Sequence, residues 1–276
     1  MAVTNPITQK QPLVGLFLFS GRLARLIYED YNQYMDENAK KVAIFDIDGT
    51  IFRSSLLIEL VDALIQEGIF PSDVRRLYAN AFKNWLDRKG DYDKYIEAVI
   101  LAFLSHIKGV KYRDFLQVAK KVTEFHKNRV YRYTRDLVAE LKSAGYYMIA
   151  ISNSPREIVE EFAERVLGFN RVYGRVYEVG EDGEFTGAVM HLDFVNDKAK
   201  VLKSALRKEG LSLRGSVGVG DSESDSAFLR FVERPICFNP NQMLYNEAVK
   251  HGWEVVVERK DVIYFLSSKN KKLRSH

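Results

Sequence analysis

Asp46 and Asp48 are the first residues in this chain whose types and spacing suggest chemistry. They close the run Val42-Ala43-Ile44-Phe45-Asp46-Ile47-Asp48-Gly49-Thr50, where apolar, strand-forming residues stop at two carboxylates, a glycine and a threonine. Side chains two apart in extended chain share a face, so both acids can address one small volume. Taking two carboxylates out of water is costly unless a cation or a reaction uses them. A short apolar run of this kind reads as a buried parallel strand. Ligands of open α/β sheets bind just beyond the carboxyl ends of such strands. Two further runs end alike: Tyr147-Met148-Ile149-Ala150-Ile151 leads into Ser152-Asn153-Ser154-Pro155, and Ser216-Val217-Gly218-Val219-Gly220 leads into Asp221. Asn196-Asp197 marks a helix start, which places Lys198 in a first helical turn.

If the three strands are parallel neighbours, these groups converge on one edge of a sheet. Asp46, Asp48 and Asp221 offer hard oxygen ligands without histidine or thiolate, a set suited to Mg2+. Ser152, the amides beyond it at a helix N-terminus, and Lys198 offer donors and positive potential for a phosphate. A cation with donors around a carboxylate equips a site for phosphoryl transfer, which depends on positioning and charge stabilisation. A carboxylate can itself serve as the nucleophile. Each part also has a plainer reading. Asp48-Gly49 can be a turn, Thr50 and Ser152 caps, and Asp221 and Asp225 helix-start acids. Lys198 can belong to a solvated face with Lys200 and Lys203. Gly218-x-Gly220 is too short for a dinucleotide loop.

The elements that must position these residues read as an α/β fold: a doubly wound, mostly parallel sheet with an inserted α-helical cap and an N-terminal helical extension. The extension covers 1–40, helical from about Leu13, and Met35 is an alternative start that would make it dispensable. Between about 53 and 130 the pattern is helical with no strand, in segments near 54–67, 71–88, 92–107 and 111–127, punctuated by Gly68, Pro71, Gly90 and Gly109. A parallel sheet normally resumes after one crossover helix, so four in a row form an insertion. The core is therefore discontinuous, 41–52 and 131–266. A helix to about Ser143 precedes the second strand, and Pro155 suits the first turn of the helix after it. Gly180-Glu181-Asp182-Gly183 separates Val172–Val179 from Glu184–Met190 as a hairpin, and short strands at Pro235–Phe238 and Glu254–Val257 close the pattern.

Bulk composition bounds the rest. The chain has 276 residues, 46% hydrophobic and 28% charged, enough for a sizeable core. A single cysteine, Cys237, rules out an internal disulfide framework and points to the cytoplasm. The net charge is +4, and Lys269, Lys271, Lys272 and Arg274 supply all of it, leaving residues 1–268 formally neutral. This basic tail, 267–276, reads as a solvated terminus, so no nucleic-acid partner is expected. No stretch approaches the ~18–20 apolar residues of a membrane span. Leu13–Phe19 is followed by Arg22 and Arg25 where a cleavage site should lie, so a signal peptide is not expected. The extension's polar face carries Glu29, Asp30 and Asp36, which favours docking on the body or on a second copy, a homodimer, over membrane binding. The five histidines show no metal-ligand spacing.

Asp46-Ile47-Asp48-Gly49-Thr50, Ser152-Asn153-Ser154, Lys198 and Gly220-Asp221-Ser222-Glu223-Ser224-Asp225 resemble, in order, the four motifs of haloacid-dehalogenase-like phosphatases. The helical insertion resembles that superfamily's first-position cap. The hairpin and Ile236-Cys237-Phe238-Asn239-Pro240-Asn241 are similar to its phosphoserine-phosphatase-like branch. The resemblance spans about 41–266. It implies that Asp46 attacks phosphorus and that Asp48 protonates the leaving oxygen, then activates water. It implies Mg2+ on Asp46, the Asp48 main-chain carbonyl and Asp221, and phosphoryl contacts from Thr50, Ser152, Asn153 and Lys198. It gives Gly49, Ser224 and Asp225 supporting places, Gly49 in a tight turn and Asp225 beside the metal or Lys198. The expected activity is hydrolysis of a small phosphorylated metabolite through an aspartyl-phosphate. Transfer to an alcohol and a non-catalytic phospho-acceptor or ligand-binding module are the alternatives.

The chain departs from the branch in three places. Ser55 stands where an acid reads the substrate amine, with Glu59 one turn on. No arginine lies between Glu97 and Leu104 to pair with a substrate carboxylate. Ser224 replaces an asparagine. These departures argue against phosphoserine. The cap offers Tyr78, Phe82, Trp85, Tyr92, Tyr95 and Phe103, most of them its own core, a few able to face an apolar or cationic leaving group.

Overall fold

The computed structural model describes residues 34–36, 38–191 and 197–266. Nearly all of the predicted extension, Asn196, and the basic tail lie outside the described residues, as does any dimer contact through them. The strands are β1 (Lys40–Phe45), β2 (Tyr147–Pro155), β3 (Arg171–Val179), β4 (Phe185–Met190), β5 (Leu211–Gly220), β6 (Arg234–Phe238), β7 (Glu254–Arg259) and β8 (Val262–Leu266). Four helices follow β1: α1 (Leu56–Gln66), α2 (Arg75–Leu86), α3 (Tyr92–His106) and α4 (Tyr112–His126). The others are α5 (Arg132–Ser143), α6 (Arg156–Val159, continuing as a π-helix over Glu160–Val166), α7 (Lys198–Glu209), α8 (Ser226–Leu229) and α9 (Gln242–His251).

One eight-stranded sheet runs in the order β4-β3-β2-β1-β5-β6-β7-β8. Its six inner strands are parallel, and β4 and β8 pair antiparallel at the two edges. This is the expected α/β, mostly parallel architecture. β1 is wholly buried along Val42–Phe45 because it feeds both faces. Ala43 and Phe45 enter an apolar cluster with α1, α3, α4, α5 and α6, while Val42 and Ile44 enter a second with α7, α8 and α9. The two-residue period of a strand thus explains why a continuous apolar run was needed. Tyr34, from the end of the predicted extension, is buried in the second cluster, and its carbonyl accepts from Leu213 N at 2.8 Å.

The chain crosses between sheet and inserted helices twice, and the crossings are tied together. Arg53 N donates to Arg129 O at 2.9 Å, and Tyr131 N donates to Ile51 O at 3.0 Å. The far end of the insertion is tied as well: Gly109 N donates to Phe185 O, Phe185 N to Val110 O, and Tyr112 N to Gly183 O, at 2.8 to 2.9 Å. These bonds place the hairpin turn against the loop between α3 and α4. The helices share their apolar cluster with the sheet, through pairs such as Phe103–Tyr177 at 5.1 Å.

Three elements differ from the sequence reading. β8 was not expected, because the turn before it, Lys260-Asp261, carries no glycine and Lys260 itself takes φ 55°. α9 was not expected either; its start is marked only by Asn241, whose side chain accepts from Leu244 N at 2.9 Å. Pro155 ends β2 and precedes the helix with ψ 135°, rather than lying in its first turn.

Candidate active site

β1, β2 and β5 are adjacent and parallel, so their carboxyl ends open on one edge. Asp46 leaves β1 buried, its amide donating to Val219 O at 2.9 Å. The chain then turns tightly: Gly49 N reaches both Phe52 O (3.0 Å) and Ser54 O (3.1 Å). Gly49 takes φ +78°, and a Cβ there would lie 2.1 Å from Asp221 Oδ2. Glycine is thus required twice, for the left-handed backbone and for the approach of Asp221.

Asp48 is held on both oxygens. Oδ1 accepts from Leu56 N at 2.5 Å, which makes Asp48 the anion at the N-terminus of α1. Oδ2 accepts from Ser152 Oγ at 2.7 Å and Ser154 Oγ at 2.8 Å. Ser152 and Ser154 alternate along β2 and face inward, while Asn153 between them is exposed. Burial raises the Asp48 carboxyl above its usual range, and the hydrogen bonds from Ser152, Leu56 and Ser154 oppose that rise.

Lys198 starts α7, where Asp197 caps the helix by accepting from Ala199 N and Lys200 N. Its ammonium is buried between Asp46 Oδ1 (2.7 Å) and Asp225 Oδ1 (2.6 Å). Burial works against its charge, but Asp225 and Asp46 outweigh that and raise its pKa. Lys200 is exposed and pairs with Asp197, and Lys203 lies 4.8 Å over the Phe231 ring, whereas Lys198 meets Asp46 and Asp225. Asp225 is fully buried, its other oxygen accepting from Asp221 N and Ser222 N, both at 3.0 Å. It anchors the lysine and shapes the loop.

Asp46, Asp221 and Asp225 each bring a carboxylate oxygen within 4.8 Å of the others. No group among the described residues donates to the Asp221 carboxylate. Burial, then the charges of Asp46 and Asp225, raise Asp221 well above the usual range. Burial likewise pushes Asp46 up to about 7, against the pull of Lys198. Four carboxylates thus share one ammonium. The spare oxygens of Asp46 and Asp221 are the hard donors a Mg2+ ion takes, and their excess negative charge is what a divalent cation relieves.

The other predicted residues fall as follows. Thr50 is buried with its hydroxyl unpartnered, while its carbonyl accepts from Thr134 Oγ1 at 2.9 Å. Ser224 is exposed and reaches only Ser222 Oγ, 3.0 Å away, so its side chain stays outside the acidic cluster. Asn153 is exposed, between the two buried serines. Glu59 is engaged by Ser54 Oγ (2.9 Å), Arg129 Nη1 (2.6 Å) and His126 Nε2 (3.2 Å). The sequence reading missed Ser154 and the Leu56 amide. Inward alternation with Ser152 was the available signal for the first; the second is a main-chain group with no residue signal. It also left open which cap aromatics face the site. In the first turn of α3, burial and then the charges of Asp48 and Asp221 hold the Tyr92 phenol above its usual range, and burial and then Glu223 do the same for the Asp93 carboxyl.

A family model for haloacid dehalogenase-like hydrolases matches residues 43–230, well over half the chain. The chain belongs to the haloacid dehalogenase-like hydrolases. Within this family, an inhibition of morphological differentiation protein from Streptomyces azureus is 27% identical over 219 residues, 79% of this chain and 78% of that protein. A histidinol-phosphatase from Neisseria meningitidis is 25% identical over 232 residues, 79% of this chain and 98% of the relative. A phosphoserine phosphatase from Archaeoglobus fulgidus is 23% identical, with 81% of this chain covering 59% of it. Among solved structures, a protein of unknown function from Bordetella pertussis aligns with a TM-score of 0.62 at 20% identity, over 79% of this chain and 98% of that one. A phosphoserine phosphatase solved as a phospho-aspartyl intermediate analogue aligns with a TM-score of 0.53 at 20% identity, over 81% and 96%. The enzyme class is phosphatase.

Proposed function

We propose that this hydrolase is a Mg2+-dependent phosphomonoesterase that cleaves a small phosphorylated metabolite through a covalent phosphate on Asp46. The observation that carries the reading is the meeting of Lys198 with Asp46, beside an Asp221 carboxylate lying over Gly49. Residues far apart in the chain thereby combine a nucleophile, a cation's ligands and a phosphate-binding ammonium. A Mg2+ held by Asp46, Asp221 and the Asp48 carbonyl would offset repulsion between the acids and the phosphate.

In the first step an Asp46 oxygen bonds to phosphorus while the bond to the leaving oxygen breaks. Asp48 gives its proton to that oxygen, and the alcohol departs. In the second, Asp48, now a carboxylate, takes a proton from water as the water oxygen bonds to phosphorus and the Asp46–phosphorus bond breaks. Lys198, Ser152 and the free Thr50 hydroxyl steady the phosphoryl oxygens. The four helices over 53–130 act as a cap on the discontinuous core, with Tyr92 toward the leaving group.

The substrate reading follows from what faces the cluster. Glu59 is already paired, so it does not wait for a substrate amine. Trp85, Tyr92 and Tyr95 pack together at 5.4 to 6.1 Å, an aromatic group on the cap that favours a leaving group with an apolar, aromatic or cationic part over phosphoserine. The test is Mg2+-dependent release of p-nitrophenol from its phosphate. Asp46→Asn should abolish it with the circular-dichroism spectrum unchanged; an active Asp46→Asn enzyme would overturn the assignment.

A further inference from the structure

We infer that Ser154 is a positioning residue for Asp48, holding the carboxyl in its working orientation when Ser152 turns to the phosphoryl group. The inference rests on the proposed role of Asp48 as proton donor to the leaving oxygen, and it assigns that proton transfer a second serine.

The geometry is specific. Asp48 Oδ2 accepts from two hydroxyls, Ser152 Oγ at 2.7 Å and Ser154 Oγ at 2.8 Å, while Oδ1 is fixed by Leu56 N at 2.5 Å. A serine hydroxyl carries one proton, so Ser152 cannot donate to Asp48 and to a phosphoryl oxygen together. Once Ser152 serves the phosphate, Leu56 alone would tether one oxygen and leave the other free to swing. Ser154 prevents this. Both serines are buried, on the same face of β2.

Ser154 is itself well fixed. Its amide donates to Ser152 Oγ at 3.0 Å, and Pro155 follows with φ −52°. Gly174 of β3 lies so close that a Cβ there would stand 3.0 Å from Ser154 O and 2.6 Å from the Arg156 Cα. The strand end is thus braced from the neighbouring strand, and the hydroxyl has a rigid base. A hydroxyl also suits the chemistry, because it can donate to Asp48 whether or not the carboxyl is protonated, leaving the carboxyl's own proton for the leaving oxygen.

The experiment measures kcat/KM, which reports formation of the covalent phosphate, for the full chain with Mg2+ on p-nitrophenyl, phenyl and benzyl phosphates. Leaving-group basicity rises along that series, so dependence on proton donation rises too. In Ser154→Ala the loss should grow along the series, at least tenfold larger for benzyl than for p-nitrophenyl phosphate, and Ser154→Thr should restore the parent profile. Ser154→Cys, which keeps the volume with a weak donor, should follow the alanine variant and serves if alanine fails to fold. Equal losses on all three esters, or no loss, would overturn the inference, since a merely structural serine lowers all rates alike. Failure of the parent reading looks different: activity retained in Asp46→Asn removes the nucleophile without bearing on the leaving-group series.

Discussion

Gly49 and Lys198 make the sharpest demands of any single residues. An alanine at Gly49 places a Cβ 2.1 Å from Asp221 Oδ2 on a backbone at φ +78°, so Asp221 must move. A displacement of about 1 Å at a reacting centre costs on the order of 100-fold in rate. Gly49→Ala should therefore lose about that factor in kcat/KM and need more Mg2+ for half-maximal activity; a metal titration of the two enzymes decides it. Lys198→Ala leaves Asp46 and Asp225 buried without their shared cation. Removing one partner of a buried ion pair costs about 3–5 kcal/mol, so the denaturant midpoint should fall accordingly, with Asp46→Asn in the same chain recovering part of the loss. The identity of this lysine was only half legible in sequence, since Lys200 and Lys203 share the start of the same helix. Helical rotation, with Asp197 as cap, directs Lys198 inward and the others out.

At the scale of elements, α1 ties the inserted helices to the acidic cluster, because its first amide binds Asp48 and its apolar face enters the main cluster. Phe103 of α3 joins that cluster to the hairpin through Tyr177 and to α4 through Phe115. Phe103→Ala should cost about 3–5 kcal/mol in urea unfolding, because Phe103 and both partners are buried and its loss leaves a cavity among them. Tyr92 is more exposed and packs on Trp85 and Tyr95, so Tyr92→Ala should cost only about 1–2 kcal/mol in the same unfolding measurement. It should raise KM for aryl phosphates by about 3- to 10-fold, the worth of one aromatic contact; an unchanged KM would place the leaving group elsewhere. The inner strands were readable because burial on both faces forces continuous apolar runs. β8 was not, since an edge strand is half solvated and its turn uses Lys260 instead of glycine.

For the whole molecule, the acidic cluster couples stability to pH and to metal. Unfolded aspartates lose their protons near pH ~4, whereas Asp46 in the fold retains its proton up to about 7. Between those values the native state binds more protons than the unfolded one, so without metal this site's contribution is complete below pH ~4 and is lost as pH rises through ~7. Metal-free thermal midpoints measured from pH ~5 to ~8 should fall more steeply in the parent chain than in Asp46→Asn, which removes the titration. Mg2+ binds the ionised carboxylates, so it should raise the midpoint more at pH ~8 than at pH ~5. A parent midpoint that rises relative to Asp46→Asn over that range would contradict the electrostatics. Among the described residues no helix is long and apolar enough to cross a membrane.

The amino-acid order alone determined where the strands end and which residue types stand there, because buried parallel strands need unbroken apolar runs and any polar group at their tips needs a use. It determined the four-helix interruption for the same reason of periodicity. Only the tertiary structure decided that β1 lies between β2 and β5, and that the face shared by Ser152 and Ser154 is the one that meets Asp48. Those outcomes depend on strand order and on side-chain direction at a strand's last residues. Both are set by packing between segments more than a hundred residues apart, which no local pattern encodes.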